Sequence, residues 1–552
     1  MVSIFEKIGF ASFFDYLFKV VFPITGLAII FYFLVSFFHL PKFTGYVILL
    51  IGIIFVIVYP VIVLENRRLS IEQNLHYFIT YAGALATVGL PRPLFFQKLG
   101  EKEHYGYTSK LMKKLLYLAK KWNLGFARTS RKLAKLCPSK ILADFLDRMA
   151  SALDFGVDLE TFLWEEQDAV MNDYATQYRQ SIENISMIRE MYIALTIAFA
   201  FSMSAALLLP MVLNISMGFT LKMGTITIIT IDAIMIVLTK AFVPSDNLLH
   251  KLKIKEELWE KTKVTFFVIL AISTLIFYFI NKTNLDLLVK LAVSSTPLLI
   301  VGFLGERIEK LIMERDRAYP AFVRSLGSTL YAQGTSVPNA VKSLLVHDLG
   351  PLNKLIQNLY KRLALRIDAN KAWQYFSGES GSNLITQFNN IFYESLYLGG
   401  DPIKISEVVS KNFLRQLSLR KLRLQVASSL RGALYGALLG FVGTLYISFA
   451  VANTLANVFN SVYDENIRQG QFAGLISSLI PSQPMISENV VMLHLGVIVI
   501  IHSFFSSFML KMIDGGTKFS MFLDFVLMLW IGAITVMVVP MLTSKLLTIP
   551  TV

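Results

Sequence analysis

The chain is poor in charged side chains and in cysteine. Only 16% of its 552 residues are charged, where about 25% is usual for a soluble domain. The single cysteine, Cys137, excludes an internal disulfide framework, and a Cys-based zinc site would need scattered histidines that show no ligand spacing. Apolar residues make up 55% of the chain, and mean hydropathy is +0.57. This composition indicates an integral membrane protein with substantial polar parts.

Motifs of catalysis and of nucleotide or metal binding are also missing. There is no G-x-x-x-x-G-K-[ST], no H-E-x-x-H, no C-x-x-C and no G-x-S-x-G. His494 and His502 share one apolar stretch two turns apart, too far to share a metal without further ligands, so polar contacts in a helix bundle are the favoured interpretation. We therefore predict no catalytic residue, no cofactor and no metal site.

Nine apolar stretches have close to the roughly 20 residues that a helix needs to cross a bilayer. An amphipathic segment, 1–18, precedes them, and two polar regions, 65–188 and 305–430, interrupt them. The predicted fold class is all-α, a polytopic membrane protein with about nine transmembrane helices and two cytoplasmic helical-bundle domains. The predicted spans are 20–38, 44–64, 190–213, 223–243, 264–280, 287–304, 432–455, 489–510 and 520–543.

Lysine and arginine orient these spans, because basic side chains stay on the cytoplasmic side of a membrane. This topological reading of the net charge of +14 is preferred to nucleic-acid binding. All basic segments share one side if the N-terminus and both polar regions are cytoplasmic and the C-terminus is outside. The basic segments are 65–188, 250–263, 305–431 and 511–518, and the loops with few basic residues are 39–43, 214–222, 281–286 and 456–488.

The pattern divides the chain into five parts. They are 1–64, with the amphipathic segment and two spans; 65–188, the first cytoplasmic domain; 189–304, with four spans and a basic cytoplasmic loop at 244–263; 305–430, the second cytoplasmic domain; and 431–552, with three spans and an outer loop at 456–488.

Two parts of the chain resemble each other, which indicates a duplicated unit. FITYAGALATVGLP at 78–91 matches FVRSLGSTLYAQGTSVP at 322–338, and FLDRMASALDFGVD at 145–158 matches FNNIFYESLYLGGD at 388–401. The first copy reads as two short helices, joined by a glycine of positive φ and an aspartate cap. Continuous helices at 174–213 and 413–455 would then join each domain to a span. The turn and cap residues are Gly156, Asp158, Gly399 and Asp401.

Asp232 lies near the middle of the fourth span. A carboxylate there is costly and usually faces protein or water. One interpretation is a proton or ion relay. The favoured one is a protonated or hydrogen-bonded helix contact, because few other ionisable groups lie at that depth.

Two basic clusters are candidate contacts for a partner. The cluster within 128–140 is distant from any span, so an acidic partner protein is an even alternative to a solvated face. The cluster within 415–423 directly precedes span seven, where anchoring to anionic headgroups is favoured. The candidates are Arg128, Arg131, Lys132, Lys135, Lys140, Arg415, Arg420, Lys421 and Arg423.

These features together resemble the type II secretion system F-domain family. The resemblance rests on the F-x(10)-G-x-D stretch of each polar region, on 71–92 and 138–178, and on the late KMIDGGTK turn. It covers nearly the whole chain, is strongest over 65–213, and is closer to the archaeal platform proteins of the archaellum than to the shorter bacterial form. It implies that both cytoplasmic domains are of the F type.

The resemblance implies a membrane platform of a type IV pilus-like machine, without catalysis of its own. The implied partners are a cytoplasmic hexameric secretion-type ATPase, filament subunits (archaellins or pilins) and the lipid bilayer. A homodimer is compatible with this arrangement, and no nucleic acid is implied. The platform of an adhesive archaeal pilus is the near alternative. A secondary transporter with repeated halves is the distant one, because Asp232 has no clear counterpart in the second half.

Overall fold

The computed structural model describes residues 13–23, 25–26, 42–213, 216–244, 246–254, 257–469 and 488–546. Within these ranges every regular element is a helix, and one isolated bridge joins Leu249 to Ser382. The predicted all-α class is therefore confirmed for the described part of the chain.

The first half begins with a helical turn, Phe13–Tyr16, that continues as a π-helical turn, Leu17–Val21. The helices that follow are α1 (Lys42–Ala86), α2 (Arg92–Glu101), α3 (Tyr107–Lys121), α4 (Phe126–Leu136), α5 (Lys140–Asp154), α6 (Leu159–Leu213), α7 (Met217–Phe242) and α8 (Glu257–Ile280).

The second half repeats the order of short and long helices. Its elements are α9 (Leu287–Ser295), α10 (Leu298–Gln333), α11 (Val337–Leu344), α12 (Asn353–Ala364), α13 (Ala369–Ser380), α14 (Asn383–Tyr397), α15 (Pro402–Gln469), α16 (Glu488–Asp514) and α17 (Met521–Leu546).

Backbone conformation shows that α2–α6 and α11–α15 are copies of one module. Positive φ angles occur at matched positions 243 to 245 residues apart, including two at residues that are not glycine. Such angles are uncommon outside glycine, so their recurrence is a specific mark of shared geometry. The pairs are Gly89 and Gly334, Gly106 and Gly350, Asn123 and Arg366, and Gly156 and Gly399.

The last helix of each module is far longer than the others. α6 has 55 residues and α15 has 68, so each runs without a break from the module into an apolar stretch. The continuous helices predicted at 174–213 and 413–455 are confirmed. The expectation of two short helices around Gly156 was wrong for the second of them, which is the start of α6.

Seven of the predicted spans correspond to helices that could cross a membrane. Six single helices are long and apolar enough, and α9 with the start of α10 makes a seventh if this pair, bent by 49°, is one span. These correspond in order to predicted spans three to nine. The first predicted span, 20–38, lies largely outside the described residues, and the second, 44–64, lies in α1, whose side chains are only partly described. The total of nine stays a prediction.

The helices form two compact units. Unit 1 is Met1–Gln177, Pro320–Val346 and Gln387–Arg415; unit 2 is Tyr178–Tyr319, His347–Thr386 and Gln416–Val552. Both units therefore contain helices from each half of the chain. The predicted cytoplasmic domains, 65–188 and 305–430, follow the repeat in the sequence, and this division into domains stays a prediction.

The repeat explains the core of unit 1. Phe145 and Phe388, which match each other, are both buried, and Phe388 packs against Tyr77 and Phe413 at ring distances of 5.4 and 5.2 Å. A Cβ at Gly83 would overlap a side chain of α6, and a Cβ at the matched Gly327 would overlap one of α15. The matched residues thus maintain the fold, since each module needs the same close helix crossing.

Candidate functional site

The two modules share the geometry of their turn and cap residues. Gly156 has φ +73° and Gly399 has φ +91°, a region that costs other residues strain. Asp158 accepts a hydrogen bond from the backbone N–H of Thr161 at 3.1 Å. Asp401 accepts from the N–H of Ile403 at 2.9 Å. Each aspartate therefore satisfies free donors in the first turn of a long helix, as a cap does.

Within unit 1 the starts of α6 and α15 are joined by ion pairs. Lys404 lies 2.5 Å from Glu160, and Asp168 accepts from Lys411 at 3.0 Å. Arg415, one of the predicted contact residues, is 2.9 Å from the same Asp168. Paired residues advance together along both helices, so the helices run parallel here.

Within unit 2 the same two helices again run parallel. Arg189 donates to Ser429 at 3.2 Å, and the rings of Phe199 and Phe441 are 5.9 Å apart. The paired positions are 240 to 247 residues apart in sequence in both units, close to the spacing of the repeat. The duplication therefore places its two long helices in register.

Arg420 is the centre of a buried ionic network in unit 2. Its guanidinium donates to Asp246 at 2.7 and 2.9 Å and to Asp316 at 2.8 Å. Ser382 also donates to Asp316. One cation is thus shared by two carboxylates from the loop after α7 and from α10.

Arg423, one turn further along α15, donates to backbone carbonyls. The acceptors are Ile513 at 2.6 Å, Met512 at 3.0 Å and Asp246 at 2.8 Å. The first two are orphan carbonyls at the end of α16, which a cation suits because of the helix dipole. Gly515 has φ +74°, and a Cβ there would lie within 2.9 Å of this guanidinium. The KMIDGGTK turn therefore holds the Arg423 side chain.

These contacts correct part of the predicted partner surface. Arg420 and Arg423 are only 6% and 3% exposed, so they are unavailable to a docked protein or to lipid headgroups. Their carboxylate and carbonyl partners lie 89 to 177 residues away in sequence, which is why the local pattern resembled a surface cluster. Lys421, between them, is exposed.

A cleft of about 510 Å³ lies beside this network, between α10, α15 and the α16–α17 turn. Its floor is ionic: Lys511 pairs with Asp514 at 2.7 Å and with Glu309 at 3.1 Å, and Arg431 lies 2.9 Å from Asp524. The sequence signal for it was the Lys511 and Asp514 spacing of three along α16, which favours a pair.

The first basic cluster is exposed, with one exception. Arg128, Lys132, Lys135 and Lys140 lie on the surface of unit 1. Arg131 is half-buried and lies 3.0 Å from Asp154. Arg128, Lys132 and Lys135 are spaced i, i+4 and i+7, so they share one face of α4.

The two modules share a fold, but their matched residues differ strongly in charge. Residues 107–140, which include α3 and α4, contain ten lysines and arginines and no carboxylate. The matched residues 351–384 contain five lysines and arginines and two carboxylates, Asp368 and Glu379. Because the second module makes the same fold with less charge, folding alone does not require the excess in the first.

Asp232 has partners that sequence reasoning missed. It accepts from the Tyr192 hydroxyl at 2.8 Å and is 3.0 Å from Nδ1 of His502. Ser506 lies 2.8 Å from the same hydroxyl. His502 and Ser506 are one turn apart on α16, and this spacing was the available signal. No cluster of three metal-ligating side chains occurs in the described ranges.

Two relatives cover nearly the whole chain. The flagella accessory protein J of Methanocaldococcus jannaschii is 33% identical over 549 residues, 97% of this chain and 96% of the relative. The protein of the same name from Methanococcus voltae is 29% identical over 552 residues, 97% of both. An uncharacterized protein of M. jannaschii is 22% identical over 440 residues, 73% of this chain and 72% of the relative. No family model matches the chain. No solved structure matches it either.

Proposed function

Because the chain belongs to the family of flagella accessory protein J, the archaellum platform protein, we propose that it couples a cytoplasmic hexameric secretion-type ATPase to the assembly and rotation of an archaellum filament. The observation that carries the proposal is the duplicated helical module whose last helix continues into an apolar span, in both copies. In this proposal both modules are cytoplasmic F-type domains.

The proposed docking surface for the ATPase is the exposed basic face of α4 in the first module. Three observations support it: Arg128, Lys132 and Lys135 share a helix face, all three are exposed, and the matched module lacks comparable charge. An acidic partner would be steered to this face and held more weakly as salt rises. Lys140 is a further exposed lysine of unit 1, and Lys421 is an exposed lysine of unit 2. Arg131 and Arg415 are already paired within unit 1.

The proposed route for the mechanical signal is α6 and α15. At 1.5 Å per residue the 55 residues of α6 span about 80 Å, enough to join a cytoplasmic module to a bilayer core of about 30 Å. A continuous helix resists compression, so a push on its soluble end displaces the span. The networks of Arg420 and Arg423 would fasten α15 to the neighbouring loops and carry the displacement to further helices.

The ATPase would supply the chemical energy, and the platform itself would be neither an enzyme nor a nucleic-acid binder. In the proposed orientation the N-terminus and both modules are cytoplasmic, the C-terminus is outside, and the apolar spans contact lipid and filament subunits in the cell membrane. A homodimer beneath the ATPase hexamer fits this scheme. The neighbouring alternative, an adhesive pilus, uses the same parts with another filament.

The docking proposal is tested with full-length protein in nanodiscs. The variant Arg128→Glu, Lys132→Glu, Lys135→Glu should bind the purified ATPase at least roughly tenfold more weakly, because exposed charge pairs contribute about 0.2–1 kcal/mol each and reversal turns attraction into repulsion. The matched control is Lys354→Glu, Lys361→Glu, Lys371→Glu on exposed positions of the second module.

Binding is measured by co-sedimentation over a salt series. The control should bind as the wild type does, and the difference between the two variants should shrink at high salt. Equal affinity of both variants would reject the α4 face as the docking surface. Loss of binding in both would instead indicate that overall charge, and not this face, attracts the ATPase.

A further inference from the structure

A carboxylate and an imidazole meet deep in the apolar spans of unit 2. Asp232 lies ten residues before Phe242, where α7 ends, and His502 lies twelve residues before Asp514, where α16 ends. At 1.5 Å per residue these depths are about 15 and 18 Å, near the middle of a hydrocarbon core of about 30 Å. The two residues are only 1% and 2% exposed.

The contacts require a hydrogen between the two side chains. Nδ1 of His502 is 3.0 Å from Oδ1 and 3.3 Å from Oδ2 of Asp232, and without a hydrogen two sets of lone pairs would face each other. The Tyr192 hydroxyl donates to Oδ1 at 2.8 Å and lies 3.2 Å from Nδ1, so its single hydrogen does not also fill the contact between Nδ1 and the carboxylate. Ser506, 2.8 Å from that hydroxyl, can donate to the tyrosine oxygen.

Two levels of protonation satisfy this geometry. An ionised Asp232 beside a neutral His502 with hydrogen on Nδ1 has a net charge of −1. One further proton gives net charge zero, either as two neutral groups or as a carboxylate beside an imidazolium. An isolated charge in an apolar interior is far costlier than a balanced pair, so the neutral level is favoured.

Among the residues that the structure describes, none of the other side chains that contact Asp232 or His502 carries a positive charge. From α6 the facing group is Tyr192, from α16 it is Ser506, and from α15 it is the ring of Phe441, 5.0 Å from the imidazole. In the described part of the chain, no lysine or arginine forms an ion pair or hydrogen bond with Asp232.

We propose that Asp232 and His502 are an intramembrane proton-binding site that holds one proton in common at neutral pH, and that this proton fastens α6 to α7 and α16. Tyr192 is the link to α6. Loss of the proton leaves an unbalanced carboxylate, which draws water into the contact and loosens it. The inference does not depend on what the cytoplasmic modules bind.

The direct test is nitrogen-15 NMR of full-length wild-type protein with labelled histidine, reconstituted in nanodiscs, with His502→Gln used to assign the signal. Both neutral forms carry hydrogen on Nε2 of His502, whereas the form with net charge −1 has a bare Nε2. We expect Nε2 of His502 to be protonated at neutral pH. A bare Nε2 at neutral pH would overturn the proposal.

A second test compares the pH dependence of unfolding in wild type and Asp232→Asn. If the site keeps a proton only in the folded state, the folding equilibrium constant falls about tenfold for each pH unit above the ordinary histidine pKa of about 6.5. Stability from the site is therefore full at low pH and lost as pH rises. The asparagine variant should lack this slope.

Tyr192→Phe is the matched control, because it removes a hydrogen bond to the site but neither titrating group. It should keep the wild-type slope at lower stability. Equal slopes in wild type and Asp232→Asn would refute a shared proton. If Asp232→Asn does not fold, the NMR measurement on wild-type protein decides the question alone.

Discussion

Replacement of Arg420 by methionine should destabilise the protein strongly. The side chain is buried and is the shared cation of two buried carboxylates, since Asp316 is 0% and Asp246 is 6% exposed at the side chain. Methionine has a similar length and fills the space, so the main loss is charge compensation. Removing one partner of a buried ion pair costs about 3–5 kcal/mol, because an uncompensated charge is left behind.

The measurement is thermal unfolding of full-length protein in detergent. A loss of 3–5 kcal/mol lowers the unfolding midpoint by roughly 6 to 20 °C, at 2–4 °C per kcal/mol for a domain of 150–250 residues. The neighbouring Lys421→Met is the control, since this side chain is exposed and its removal should cost less than about 0.5 kcal/mol.

A triple variant separates charge from packing. Arg420→Met combined with Asp246→Asn and Asp316→Asn removes the two stranded charges and should recover part of the loss, because an apolar or neutral replacement of a whole buried pair is often well tolerated. If Arg420→Met unfolds at the same temperature as Lys421→Met, the network does not stabilise the protein.

Two further changes test the turn geometry. Gly515→Ala should cost about 1–3 kcal/mol, because φ is +74° and the new Cβ would displace Arg423, whereas Gly432→Ala, with nothing within 4 Å, should be neutral or slightly stabilising by helix propensity; equal unfolding midpoints would contradict this. Asp401→Ala should lower stability by about 1 kcal/mol through loss of a helix cap, and Asp401→Asn, which can still cap, should recover most of it in the same unfolding assay.

Several features of the fold were predictable because their chemistry is local. The caps Asp158 and Asp401 act within three residues of themselves, and the positive φ of Gly156 and Gly399 is a property of one turn. The helices at predicted spans three to nine follow from runs of apolar residues, since length and hydropathy are what make a helix a candidate span. The sequence repeat predicted that both modules would have these caps and glycine turns.

The candidate sites were harder to predict because their partners are remote. Arg420 and Arg423 belong by sequence to a basic cluster beside a span, like Lys421, yet their exposure differs entirely. Three residues on one helix point in different directions, and only the position of the neighbouring helices decides which of them meets a carboxylate. Adjacent residues of one helix therefore differ in exposure even where their charges are the same.

By itself the sequence determined the class of the protein, the order of its spans, the duplication and the places where helices begin, because apolar runs, caps and glycine turns act over a few residues. Only the tertiary structure decided which charges are free. It brings His502 to Asp232 across 270 residues and Asp316 to Arg420 across 104. A buried charge persists only beside its counter-charge, and that meeting depends on how distant helices pack.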